Sequence, residues 1–221
     1  MNKYIKAGVL LFLVAIPAFL FSLLDVSEPY GKVRLQKYYP QGIESLTKDT
    51  IYHRVPYYSY LNQDSVLIDS NFVENKIQVV DFKFTSCETI CPKMTSNMVD
   101  VYSKFLDNKD LVFISFTVDP IKDTPSILKR YQNDYKVRNK NWAFLTGEAF
   151  SIYELARKGF FISGYYDENV NDFVHSEKVI LVDKSRVIRG YYDATDKEEI
   201  ERLKIEIKVL KKEYEQQKNS N

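Results

Sequence analysis

The stretch VVDFKFTSCETICPKM, Val79–Met94, contains both cysteines of the chain, Cys87 and Cys91. Its first half belongs to a β-branched and aromatic run, Lys76–Phe84, which predicts a buried strand. Its end opens a run with apolar residues at helical spacing, which predicts a helix over Pro92–Asn108. The two thiols are therefore expected at a strand-to-helix turn, near the positive end of the helix macrodipole, where thiol pKa values fall. That location favours redox or metal chemistry over a structural disulfide.

The pattern of strands and helices continues along the rest of the chain. Short strands are expected around a turn at Asn62–Asp64, a second buried strand at Leu111–Pro120, and a further strand in NWAFLTG. A helix follows each of these last two strands, one with Thr124 as its N-cap and the other ending at Gly159. A hairpin and a long charged helix complete the chain. Strands that alternate with helices predict an α/β sandwich.

The charge of the chain is nearly balanced, with 31 Lys and Arg against 30 Asp and Glu and a formal net charge of +1. A nucleic-acid-binding domain normally carries a basic excess or stripe, so no nucleic-acid partner is expected. The 221 residues suffice for one domain with a full hydrophobic core. Such a core does not depend on disulfides, which again argues against a purely structural role for the cysteines.

An apolar segment without charges, Ala7–Leu24, follows two lysines near the N-terminus. Its 18 residues are at the lower limit for a membrane-spanning helix, and the lysines place the N-terminal side in the cytoplasm. A cleaved signal peptide is the alternative, although no A-x-A-like cleavage site is visible. We expect an uncleaved membrane anchor over residues 1–24, a polar linker over 25–50, and one exported domain over 51–221, periplasmic in a bacterium.

Export of the domain limits the states in which the two thiols can persist. Exported thiols drift towards disulfides, so a pair kept close together must be oxidised, catalytic or protected by a metal. Three residues separate Cys87 from Cys91, one more than in the C-x-x-C motif of thioredoxin-type oxidoreductases. Positions four apart share one helix face, and two sulfurs there can close a disulfide or hold a soft ion such as Cu(I) or zinc. A third ligand could come from His175, although the residues alone favour an ordinary surface or core role for both His175 and His53.

Four segments together resemble the SCO/SenC family of copper-delivery proteins: DFKFTSCETICPKMTSNM, VFISFTVDPIKDTPSILKRY, NWAFLTG and VHSEKVILVD. The resemblance covers about residues 52–210, in order and with suitable spacing. It implies a thioredoxin-like α/β fold of the peroxiredoxin type, with a central sheet flanked by helices and an N-terminal transmembrane anchor. It also implies that Cu(I) or Cu(II) is bound by Cys87, Cys91 and His175. Asp119 is expected near the metal, where it orients ligands or tunes the charge.

By the same resemblance, the protein is expected to be a membrane-anchored copper metallochaperone rather than an enzyme. It would deliver copper to the dinuclear copper centre of cytochrome c oxidase subunit II, or to a similar copper-accepting protein. The alternative is a thiol-disulfide oxidoreductase that keeps the copper-ligand cysteines of the target reduced. A thiol peroxidase is disfavoured because no arginine lies near the cysteines in the sequence, and a structural zinc site because no fourth ligand is in view.

Two positions depart from the pattern of the family. Glu88 stands where the family commonly has proline, and its carboxylate is expected to raise the cysteine pKa values slightly and to favour a bound cation. The turn after Gln63–Asp64 lacks the usual glycine, which concerns a hairpin and not the chemistry.

Overall fold

The computed structural model describes residues 12–13, 15–17, 34–138, 141–162, 166–167, 172–173 and 176–219. The chain divides into two compact units, Met1–Arg34 and Leu35–Asn221. The described residues of the first unit are mostly helical, and the remainder of the predicted anchor lies outside them. Among the described residues, no helix combines the length and the apolar character needed to cross a membrane.

A mixed sheet forms the centre of the larger unit. The described strands are β1 (Pro40–Ile43), β2 (Thr50–Tyr52), β3 (Tyr60–Asn62), β4 (Leu67–Ile68), β5 (Ile77–Lys83), β6 (Leu111–Thr117), β7 (Trp142–Thr146), β8 (Tyr166–Asp167), β9 (Asp172–Phe173), β10 (Lys178–Val182) and β11 (Ile188–Asp193). Seven of them form one sheet in the order β11-β10-β5-β6-β7-β3-β4. Strands β5, β6 and β7 run parallel, and β10 and β3 pair antiparallel on either side of them.

The three parallel strands are the buried runs that the sequence predicted. All residues of β5 and β6 are buried, as is usual for parallel strands with both faces covered. Ile77 pairs with Leu111 at one end of this ladder and Lys83 with Thr117 at the other. The carboxyl ends of the strands therefore meet at one edge of the sheet, where the loop with the cysteines lies beside the loop that begins with Val118.

Helices lie on both faces of the sheet. The described helices of the larger unit are α1 (Ser70–Val73), α2 (Ile90–Ser103), α3 (Pro125–Asp134), α4 (Ala149–Glu154), which continues as a π-helical turn (Leu155–Gly159), and α5 (Lys197–Asn219). Helix α3 begins as predicted, with Thr124 as its N-cap and proline in the first position. Helix α2 begins at Ile90 rather than at Pro92, so its first turn includes Cys91.

Apolar side chains fill the space between the sheet and each helical layer. On one face, Met94 and Met98 of α2 pack with Leu128 of α3 and with the apolar stripe of α5. On the other face, Ile152 of α4 and Phe160 pack against the sheet. This arrangement confirms the predicted α/β sandwich.

Part of the predicted linker, residues 25–50, forms structure of its own. It contains β1, which pairs with β2 in an antiparallel hairpin. The buried guanidinium of Arg189 holds the preceding chain by donating to the backbone oxygens of Leu35 and Gln36. The boundaries of the linker and of the domain stay a prediction.

The turn between β3 and β4 shows how the chain manages without the glycine noted above. Ser65 adopts a left-handed backbone conformation with φ of 57°, which glycine would adopt at lower cost. The side chain of Asn62 stabilises the turn, because its Oδ1 accepts the N–H groups of Asp64 and Val66, each at 2.9 Å. This local bonding offsets part of the cost of the conformation.

Candidate metal centre

The two cysteines lie at the junction between β5 and α2, as predicted. Both are reduced and buried, with 8% of Cys87 and 2% of Cys91 exposed. The backbone N–H of Cys91 donates to Cys87 Sγ at 3.4 Å. The first turn of a helix has N–H groups without intrahelical acceptors, so the Cys87 sulfur takes the place of a capping group. The hydroxyl of Thr89, the residue before α2, lies 3.7 Å from the same sulfur.

These contacts make the two thiols chemically unequal. Burial opposes ionisation of Cys87, but hydrogen bonds from Cys91 and Thr89 outweigh it and lower its pKa to about 7. Burial raises the pKa of Cys91 to about 12, and the neighbouring Cys87 thiolate adds to this rise. A backbone hydrogen bond with Phe84 and the charge of Lys83 oppose it only in part. At neutral pH, the pair therefore presents one partly ionised sulfur and one protonated thiol.

A buried carboxylate fixes the start of the cysteine loop. Asp123 is fully buried, and it accepts hydrogen bonds from the backbone N–H of Thr85 at 3.0 Å and from the hydroxyls of Thr85 and Thr117, each at 2.5 Å. It thereby ties the loop after β5 to the end of β6. Asp123 belongs to a segment that carries the family resemblance, but only Asp119 of that segment was predicted to have a role. A second aspartate four residues after Asp119, in a loop at the same sheet edge, was the available signal.

Asp119 lies in the same loop as Asp123, but its carboxylate has a different environment. The backbone N–H of Asp119 donates to the hydroxyl of Thr117 at 3.0 Å. Its carboxylate forms an ion pair with Lys122 at 3.0 Å and is 25% exposed. The described contacts place it within its own loop, so its expected role beside the metal stays a prediction.

The histidines and Glu88 complete the set of residues singled out in the sequence. His175 lies outside the described residues. The ring of His53 packs against Phe161, and its Nε2 lies 2.9 Å from the carbonyl oxygen of Gly159, which fits a packing role. Glu88 is exposed. The net pKa shift of Cys87 is downward, opposite to the slight rise expected from Glu88 alone.

A buried ion pair lies below the cysteines, and the sequence analysis missed it. Asp81 is fully buried and Lys83 is 4% exposed, and their charged groups are 2.8 Å apart. The hydroxyl of Ser115 donates to Asp81 at 2.5 Å, and the Lys83 ammonium donates to the hydroxyl of Thr95 at 3.2 Å. Two charged residues at alternate positions of a buried strand must share one face of the sheet, and that spacing was the available signal.

The donor set suits a soft metal ion. Among the described residues, no group of three or more His, Cys, Asp or Glu side chains is arranged to hold a metal. Of the predicted ligands, the two sulfurs lie within the described residues, at one end of α2. Thiolates select Cu(I) and zinc over hard ions. A site with two sulfurs has room for a further ligand. The resemblance implies that this ligand is His175, which stays a prediction.

Comparison with known proteins places this chain in a family. A family model described as SCO1/SenC matches residues 48–210. The SCO1 protein homolog of Bacillus subtilis is 35% identical over 147 residues, which cover 65% of this chain and 76% of that protein. The structure of BsSco, described as a member of the Sco family of cytochrome c oxidase assembly proteins with a disulfide switch, is 30% identical. It has a TM-score of 0.63 and covers 72% of this chain and 93% of that chain.

A more distant structure shares the fold. ScoI of Arabidopsis thaliana, solved with copper bound, is 21% identical, with a TM-score of 0.56 over 73% of this chain and 98% of that chain. At that identity the likeness concerns the fold alone. The family match spans the sheet, the cysteine loop and most of α5, in agreement with the resemblance of the sequence motifs. The chain belongs to the SCO1/SenC family.

Proposed function

We propose that this protein is a membrane-anchored copper chaperone that binds one copper ion through Cys87, Cys91 and His175. The observation that carries the proposal is the reduced pair of unequal thiols at the start of α2. One sulfur is ready to ligate at neutral pH, and the second loses its proton when the metal binds. Membership of the SCO1/SenC family and the copper found in a structure of the same fold agree with copper as the cargo.

Copper transfer would proceed by ligand exchange. A site with two sulfurs and one imidazole leaves one side of the ion open, so a thiolate of the acceptor can enter before a ligand of the chaperone leaves. A closed tetrahedral site would resist such release. The acceptor is the dinuclear copper centre of cytochrome c oxidase subunit II, and BsSco is itself described as an assembly protein of that oxidase. The domain works on the exported face of the membrane, held by residues 1–24.

A copper titration tests this proposal. Purified full-length chain in detergent is titrated with Cu(I) under a competing chelator, together with His175→Ala and with His53→Ala as the matched control. We expect one copper per chain in the wild type and in His53→Ala, and at least tenfold weaker binding in His175→Ala. Absence of Cu(I) binding by the reduced wild type would defeat the proposal, and equal affinities of all three proteins would remove His175 from the ligand set.

A second candidate function is reduction of a disulfide in the copper acceptor. The pKa of Cys87, about 7, favours it as the attacking thiolate, because attacking thiols work best with a pKa near the ambient pH. The Cys87 thiolate would attack the acceptor disulfide, form a mixed disulfide and release one acceptor thiolate. Cys91 would then attack the mixed disulfide, release the second acceptor thiol and leave a Cys87–Cys91 disulfide. The two electrons that reduce the acceptor come from this cysteine pair.

The two functions differ in what they require. Reduction needs both cysteines but not His175, whereas copper binding needs the histidine as well. A Cys91→Ser variant should accumulate the mixed disulfide with an oxidised acceptor peptide if the reductase function operates, and mass spectrometry would detect it. Full restoration of oxidase assembly in cells by His175→Ala would favour the reductase over the chaperone.

A further inference from the structure

The buried ion pair of Asp81 and Lys83 has a defined position relative to the cysteines. Lys83 is the last residue of β5, and its ammonium donates to Thr95 of α2. Thr95 follows Cys91 by four residues, so the two side chains share one face of the helix, with Cβ atoms about 5–6 Å apart. Both are buried. The Lys83 ammonium therefore lies one helical turn below Cys91.

The pair is oriented, with its positive end towards the cysteines. Asp81 precedes Lys83 by two residues and so lies farther from the carboxyl edge of the sheet, where the cysteine loop begins. Ser115 and Trp142 hold the carboxylate there, because Ser115 donates to Asp81 and the Trp142 indole donates to Ser115 at 2.9 Å. Asp81 Oδ2 accepts no hydrogen bond of regular geometry in the described part of the chain, so Lys83 is its charge partner at 2.8 Å.

Stability alone does not account for this pair. Removing two charges from water costs about as much as their attraction returns, and apolar replacements of buried pairs are often neutral or stabilising. Apart from the hydroxyls of Ser115 and Thr95, the surroundings include the apolar rings of Trp142 and Phe144, whose centroids lie 5.4 and 5.5 Å from the Lys83 ammonium. A role for the charge itself is the alternative.

We infer that Lys83, held in place by Asp81, is a positioning residue whose fixed positive charge stabilises the anionic states of the cysteine pair. The main such state is the complex of two thiolates with Cu(I), which carries a net charge of −1 when the third ligand is a neutral imidazole. This inference rests on the proposed copper function. The disulfide is neutral and gains nothing from the ammonium, so the same charge favours the reduced pair over the oxidised pair.

The expected effect follows from Coulomb's law. With an effective dielectric constant of about 20, an ammonium taken as about 6 Å from a thiolate and a carboxylate taken as about 3 Å farther away change the stability of that thiolate about fivefold. For a complex with two thiolates, one of them more distant, the combined effect is about tenfold. Loss of the pair should therefore weaken Cu(I) binding about tenfold. The metal-free dithiol carries its charge on the more distant Cys87, so loss of the pair should disfavour it about twofold at most.

The test replaces both charges and keeps the shape of the side chains. The variant Asp81→Asn with Lys83→Met is compared with the wild type and with Lys204→Met. Lys204 is the matched control because it is also a buried lysine, paired with Asp100 at the far end of the same helix α2. Thermal unfolding of all three proteins, metal-free and reduced, measures any structural role of the charges.

Two further measurements decide the inference. The first is Cu(I) affinity by chelator competition. The second, without metal, is the equilibrium in which two glutathione thiols reduce the Cys87–Cys91 disulfide to the dithiol and form glutathione disulfide. We expect the double variant to keep the melting temperature of the wild type, to bind Cu(I) more weakly and to shift the glutathione equilibrium towards the disulfide. Lys204→Met should show neither change.

The outcomes separate this inference from the proposed function. Wild-type protein that fails to bind Cu(I) defeats the chaperone, while the glutathione equilibrium still tests the charge. If the wild type binds copper, and if its copper affinity and glutathione equilibrium equal those of the double variant, the inference about Lys83 is overturned and the proposed function stands. Equal losses in Lys204→Met would show that any buried lysine has this effect, which also overturns it.

Discussion

Asp123 offers the sharpest test of how the cysteine loop is held. The Asp123→Ala variant removes the acceptor of three hydrogen bonds that join Thr85, two residues before Cys87, to the end of β6. We expect this substitution to destabilise the domain strongly and to loosen the loop that carries the cysteines. The conservative Asp123→Asn variant keeps one acceptor oxygen and should have an intermediate effect.

The size of the effect follows from the partners of the carboxylate. A hydrogen bond to a charged group contributes about 1.5–3 kcal/mol, and an unsatisfied buried donor costs about 1–3 kcal/mol. The two threonine hydroxyls can rotate towards other acceptors, whereas the backbone N–H of Thr85 cannot. We therefore expect Asp123→Ala to lower the free energy of unfolding by about 3–5 kcal/mol, and Asp123→Asn by about 1–2 kcal/mol.

The assay is urea unfolding of the reduced protein, with the alkylation rate of Cys87 in native conditions as a second measurement. Asp110→Ala is the control, since Asp110 is 59% exposed and forms an ion pair with Lys184; its loss should cost less than about 1 kcal/mol. Faster alkylation of Cys87 should accompany the loss of stability in Asp123→Ala. A loss no larger than that of the control, or an unchanged alkylation rate, would refute the role of Asp123 in fixing the loop.

Three further predictions concern the cysteines and the two departures from the family pattern. Iodoacetamide should label Cys87 with a rate that is half-maximal near pH 7 and falls as the thiolate is protonated at lower pH. Cys91, with a pKa of about 12, should stay unlabelled. Equal labelling of the two cysteines, measured by mass spectrometry, would contradict the inequality of the thiols. Ser65→Gly should stabilise the domain by about 0.5–1 kcal/mol in urea unfolding, because it relieves a left-handed serine, and a loss of stability would show that the serine side chain matters more. Glu88→Pro should weaken copper binding about twofold, as expected for an exposed carboxylate, and an unchanged affinity would remove any role of Glu88 in attracting the cation.

The fold was largely predictable because its central strands are recognisable from their apolar, β-branched and aromatic residues. The runs that became β5, β6 and β7 are apolar over most of their length and alternate with helical patterns, so an α/β sandwich could be inferred from this alternation. Their parallel pairing was not predicted. The place of the cysteines between a strand and a helix was also predictable, because it depends only on residues that are neighbours in the sequence. Helix α2 begins at Ile90, two residues before the predicted start at Pro92, because the sulfur of Cys87 caps the helix by accepting the N–H of Cys91.

The parts that escaped prediction depend on tertiary contacts. Asp123 is a buried anchor only because β5 and β6 are parallel neighbours, which brings Thr85 and Thr117 to the same carboxylate. Likewise, Lys83 and Asp81 read as part of an ordinary strand until helix α2 covers them and excludes water. Burial of a charge is a property of what packs over it, and a single sequence does not state which helix that is.

The bonding of the cysteine loop has a consequence for the energetics of metal transfer. Ordering one flexible backbone residue costs about 1–2 kcal/mol, and a disordered loop would meet that cost each time it captured a metal ion. Here Asp123 and the N–H of Cys91 already hold the loop. Capture and release therefore change the conformational entropy of the cysteine loop little. In the proposed copper transfer, the direction is then set by the competition between donor and acceptor ligands, and the cysteine loop can release the metal without unfolding.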